Sequence, residues 1–171
     1  MIATLFVVFA FASSALGALP TQNLCPVPPT TPGADIDKIA GLWHVISPPT
    51  SDPPSTFYFM PRKDGNFNVT IPEDLRYGEK VYLNLLGERS DNENLLNIYP
   101  DMSKKYPYLM SLNILDVDYI HYMAGYMCFY LPTRSFPIGP LVLSRSNTMS
   151  ADKLAELTDL IKNYLETALV Q

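Results

Sequence analysis

Catalysis and metal binding draw on a short list of side chains, and this chain of 171 residues holds two histidines, His44 and His121, and two cysteines, Cys25 and Cys128. They lie far apart in sequence, without the paired spacing by which zinc sites are read. A nucleophile elbow and a phosphate-cradling glycine loop are absent as well. The expectation is a protein that is not an enzyme, with no catalytic residue, metal or cofactor. Another interaction has better support. The single tryptophan, Trp43, follows Gly41 at the head of an alternating apolar run, and Arg145 closes the last strand-like segment. A guanidinium laid over an indole, donating to nearby carbonyls, would seal one end of a closed sheet.

The elements that must bring those two residues together read mostly as strands. Residues 56–60 are aromatic and β-prone, Asp64-Gly65 is a hairpin turn, and residues 67–71 pair back. Further strands are expected over 81–86, 95–99, 108–115, 120–131 and 138–144, with a proline-rich loop at 48–55 after the first. With the strand at Trp43 the count suits a small antiparallel barrel that holds one ligand. One helix is predicted over 151–168, with Ser150 as N-cap, Asp152 in the first turn and Met149 stapled to Leu154. Leu154, Leu157, Ile161, Tyr164, Leu165 and Ala168 give it one apolar face. The expected class is all-β: an eight-stranded up-and-down β-barrel with a C-terminal α-helix packed on the outside.

Apolar residues at 47% and charged residues at 17% argue against disorder, and a net charge of −5 without a Lys/Arg cluster argues against a nucleic-acid surface. Residues 2–12 are an uncharged apolar run followed by Ser13, Ser14 and Ala15-Leu16-Gly17, which reads as a secretory signal peptide cut after Gly17. That leaves residues 18–171 as one domain. The run is shorter than the ~20 residues that span a bilayer, so a secreted, extracellular protein without stable membrane insertion is expected. Export favours disulfides, and two cysteines allow one internal pairing; two free thiols or an intermolecular bridge are the alternatives. Asn68-Val69-Thr70 is a glycosylation sequon.

Gly41 and Trp43 on the first strand, Asp118-Tyr119 at a corner before the seventh, and Arg145 on the eighth together resemble the lipocalin signature. The separations of these residues are also similar to those in lipocalins, and the resemblance covers residues 23–169; Val117 stands where the family's corner usually has threonine. The position of Cys25 ahead of Trp43 is similar to that in insect bilin-binding and apolipoprotein D-like lipocalins. That likeness implies a Cys25–Cys128 bridge tying the lead-in with Pro26, Pro28, Pro29 and Pro32 to the barrel. Closing a loop of ~100 residues would stabilise the fold by a few kcal/mol.

Strand parity then divides the wall. If Cys128 faces outward, so do Ile120, Tyr122, Ala124 and Tyr126, and the lumen receives His121, Met123, Gly125, Met127 and Phe129. Counting back from the corner as in similar lipocalins adds Tyr108, Met110, Leu112 and Ile114, and Leu141 and Leu143 complete the wall. Methionine adapts to varied shapes and Gly125 leaves room. His121, besides the Tyr108 hydroxyl, is the polar candidate, either for a ligand or for a structural hydrogen bond. The resemblance implies a secreted binding or transport protein for a small hydrophobic ligand of the fatty acid, retinoid, sterol, pheromone or bilin class, with a protein receptor as a further partner. Transfer of such a ligand into the barrel gains ~25 cal/mol per Å² of apolar surface buried. The rival is a barrel filled by its own side chains, whose loops or glycosylated surface bind a protein partner. The cysteine nucleophile of prostaglandin-isomerising lipocalins would need a free thiol inside the barrel, where neither cysteine is expected.

Overall fold

Alternation of apolar residues drives the chain into strands that bury one face and close on themselves. The computed structural model describes residues 22–47, 55–74, 80–100, 104, 107 and 109–169; the expected signal peptide, most of the 48–55 loop and Tyr108 lie outside them. In chain order the strands are β1 (Gln22–Asn23), β2 (Gly41–Ser47), β3 (Thr56–Pro61), β4 (Phe67–Asp74), β5 (Lys80–Arg89), β6 (Leu95–Tyr99), β7 (Met110–Val117), β8 (Tyr122–Leu131) and β9 (Arg134–Ser144). From β2 to β9 each strand pairs antiparallel with the next, and β9 also pairs with β2, closing an eight-stranded up-and-down barrel. The short β1 runs parallel to the start of β9.

β9 starts earlier than the sequence suggests. A reversal at Pro132-Thr133 sets Leu131 opposite Arg134, and a register shift between Met127 and Cys128 absorbs Pro137 and Ile138 into the strand. A 3-10 turn, Ile36–Ile39, leads into β2 and buries Ile36 and Ile39.

The helix α1 (Ala151–Leu169) begins where the Ser150 hydroxyl accepts the Lys153 amide at 3.3 Å. It buries Leu157, Ile161 and Leu165 against Ala124, Tyr126, Cys128 and Val142, each worth about 1.5–3 kcal/mol. Ala124, Tyr126 and Cys128 therefore face outward, as parity from Cys128 requires. Cys25 and Cys128 form a disulfide, with Cα atoms 6.0 Å apart, on this helix-side face.

The lead-in between Cys25 and Ala34 is held by side chains, because its prolines carry no N–H and offer only carbonyls. The Tyr126 hydroxyl donates to the Pro26 carbonyl at 2.7 Å and the Tyr164 hydroxyl to Val27 at 2.6 Å. Asn92 donates to Pro28 at 2.9 Å. The buried Asn94 amide donates to Pro29 at 2.5 Å and Pro32 at 2.9 Å, while its oxygen accepts the Ala34 amide at 2.6 Å.

Candidate functional site

One end of the barrel is shut by the Trp43–Arg145 pair. Trp43 is fully buried, and its indole N–H donates to the Ile39 carbonyl at 2.7 Å, fixing the 3-10 turn beneath the barrel. The Arg145 guanidinium carbon lies 3.8 Å from the centre of the indole ring. Its nitrogens donate to the carbonyls of Tyr119 (3.0 Å), Leu42 (3.0 Å), Lys38 (3.2 Å) and Ala40 (2.8 Å). Burial lowers the guanidinium from its ordinary value, though arginine stays charged throughout the working range. Gly41 allows this approach: its φ is +101°, and a Cβ there would sit 3.1 Å from the Arg145 side chain.

The corner between β7 and β8 completes the seal. The Asp118 carboxylate accepts the amides of Ile120 (3.1 Å), His121 (2.6 Å) and Tyr122 (3.0 Å). Burial alone would raise this carboxyl, but the His121 and Tyr122 amides and the His121 ring hold it below the usual carboxylate value. Tyr119 has φ +63°, and its hydroxyl accepts the Asp35 amide at 2.6 Å. All five residues of the expected signature thus meet at one end.

Above this base lies a layer of side chains sealed from solvent. Phe59, Phe67, Val69, Leu96, Leu112, Ile114, Met123 and Leu143 are buried together with Trp43 in one apolar cluster. Further from the base the same inward faces open. Leu83 and Val81 share the face of the buried Leu85 by alternation, yet are 37% and 39% exposed. Val45, Ile71, Met110 and Leu141 are only partly buried. Phe129 is half-buried and stacks on Phe136 at 6.2 Å, beside Arg134. Among the described residues the interior is a plugged base below a more exposed apolar end, the mouth.

The predicted lining residues divide between these zones. Leu112, Ile114, Met123 and Leu143 belong to the plug; Met110, Met127, Phe129 and Leu141 lie towards the mouth. Two expectations need correction. His121 does not point into the lumen: its side chain is 76% exposed and its Nδ1 lies 2.8 Å from Asp118, because β8 starts at Tyr122 and alternation does not extend back through the corner. Gly125 does not leave room for a ligand. A Cβ there would lie 2.0 Å from the Asn113 carbonyl oxygen and 3.2 Å from the Ile114 Cα, so the space admits the backbone of β7 at its bulge.

Other lining residues, Phe57, Phe59, Phe67, Val69, Ile71, Leu85, Leu96 and Ile98, come from β3–β6. Their signal was the same alternation, plain in Phe57-Tyr58-Phe59 and Phe67-Asn68-Val69-Thr70-Ile71, extended to the first half of the chain. Asn68 lies on the outer face of β4, where its side-chain oxygen accepts from Arg62 at 2.8 Å. Among the described residues no group of three His, Cys, Asp or Glu side chains could hold a metal, and no helix is long and apolar enough to cross a membrane. A scan of protein-family models finds no match to this chain, and neither does a search of curated proteins.

Proposed function

We propose that this protein is a secreted lipocalin that binds and carries a small hydrophobic molecule in the mouth half of its barrel. The observation that carries this reading is the exposure gradient along one inward face, from buried Leu85 to open Leu83 and Val81, above a base sealed by Arg145. Apolar side chains left exposed at inward positions are costly in water and favour an apolar guest. Binding is partition into a preformed site, and the plug limits how deep the guest sits. The disulfide accords with export, where the sequon at Asn68 would carry its glycan on the outer wall.

The test is titration of the full mature chain with a panel of fatty acids, retinoids, sterols and bilins, read by calorimetry and native mass spectrometry. Trp43 is a poor reporter because it lies in the plug, below the proposed guest. Saturable binding of at least one class, weakened by Leu83→Arg, is expected; no saturable binding by any class refutes the reading. The second reading is then a protein-binding barrel. It is favoured by the exposed outer strip of Leu42, Tyr58 and Met60, in which Leu42 and Tyr58 are cross-strand partners.

A further inference from the structure

Among the described residues the pairing of β2 with β9 is short. β2 and β9 pair from His44 opposite Ser144 to Ser47 opposite Val142, and among the described residues β9 has no partner on that side over 136–141. Pro137 and Pro140 remove two N–H donors from this stretch. At Gly139, with φ +118°, an added Cβ would meet no atom within 4 Å. Beside it lies a groove of about 450 Å³, within the ~300–1,000 Å³ range of ligand sites. Its lining joins Met127, Gly139 and Leu141, at inward positions of the barrel, to Thr158 and Lys162 on the external helix α1. Lys162 is the sole charged residue of that lining and has no ion-pair partner among the described residues.

We propose that this groove is a lateral binding channel for a single-chain amphipath with a carboxylate head. The head pairs with Lys162, and the chain passes Gly139 and Leu141 into the mouth half of the lumen. An exposed cation on the α1 side of a cleft that is otherwise uncharged and mostly apolar, on a chain of net charge −5, selects an anion on that side and hydrocarbon along the rest. Entry is then sideways between α1 and β9, and the head stays in water. This inference rests on the carrier reading and adds the class of guest and its orientation.

The experiment compares dodecanoate with 1-dodecanol by calorimetry on the full mature chain, its Lys162→Glu variant and its Thr158→Trp variant. Circular dichroism checks that all three fold. Dodecanoate is expected to bind the parent about fivefold more tightly than the alcohol, the scale of an exposed ion pair. Lys162→Glu should weaken dodecanoate about tenfold and leave the alcohol unchanged, while Thr158→Trp, which narrows the groove, should weaken both. Equal binding of acid and alcohol, or an acid preference that survives Lys162→Glu, overturns the lateral channel while leaving the carrier reading in place. Unchanged affinities in Thr158→Trp do the same. Binding of neither probe by any of the three proteins, together with failure of the wider panel, overturns both.

Discussion

At the base of the barrel Trp43, Phe59 and Phe67 are sealed from solvent and Arg145 gives its donors to four carbonyls; at the mouth Val81 and Leu83 hold equivalent inward positions and stay open. Both zones are apolar and both come from the same alternating strands. What separates them among the described residues is the 3-10 turn and the β7–β8 corner, which bring carbonyls, an indole and a guanidinium across the base. A fold held mainly from one end can leave inward positions such as Val81 and Leu83 exposed without losing its shape. Stability and the proposed binding are therefore assigned to different residues of the wall.

That division can be broken most directly at the base. Trp43→Ala should cost about 4 kcal/mol in urea unfolding, while Phe129→Ala at the mouth should cost about 1 kcal/mol; equal losses would erase the distinction. Gly125→Ala should cost about 3 kcal/mol, because its methyl group meets strand backbone that cannot move aside; a variant as stable as the parent would show that the β7 bulge is adaptable. Arg145→Lys keeps the charge but loses the planar fork, and should cost about 2 kcal/mol in the same assay.

Asp118 sharpens the comparison through pH. Its folded value is depressed, so its contribution is present above the unfolded carboxylate range near about pH 4 and is lost as pH falls through the lower folded value. Asp118→Asn should flatten acid unfolding in that window and cost about 1 kcal/mol or less at neutral pH, since an amide oxygen can still accept the corner amides. The smallest change in stability, within about 0.5 kcal/mol, is expected for Leu83→Asp at the mouth, yet this variant should lose most of its affinity for an apolar guest. A Leu83→Asp protein that binds normally would place the guest elsewhere.

The eight strands and the helix were legible in the sequence because alternation and helical periodicity are local and strong here. Outward Cys128 also fixed the parity of β8 correctly for Ala124, Tyr126, Met123 and Met127. Two features defeated that reasoning. The capping of three amides by Asp118 interrupts the alternation, so His121 escapes the strand rule; and the contact that demands Gly125 is with β7, a neighbour the local sequence does not reveal. The grip of Asn92 and Asn94 on the lead-in is likewise a contact across about 60 residues of sequence, visible only once the chain has folded. The gradient from plug to mouth depends on closure at one end, and no single strand carries that information.

The covalent tie between Cys25 and Cys128 also fixes how the molecule would bear tension. A pull applied to the amino end passes through the sulfurs into the middle of β8, bypassing the strands between the two cysteines, which span a sequence separation of 103 residues. While the bond is intact, stretching by the two ends loads β1, the end of β8 after Cys128, β9 and α1, and leaves β2 to β7 slack. Such a protein could be tethered at its amino end with most of its barrel mechanically isolated from the tether.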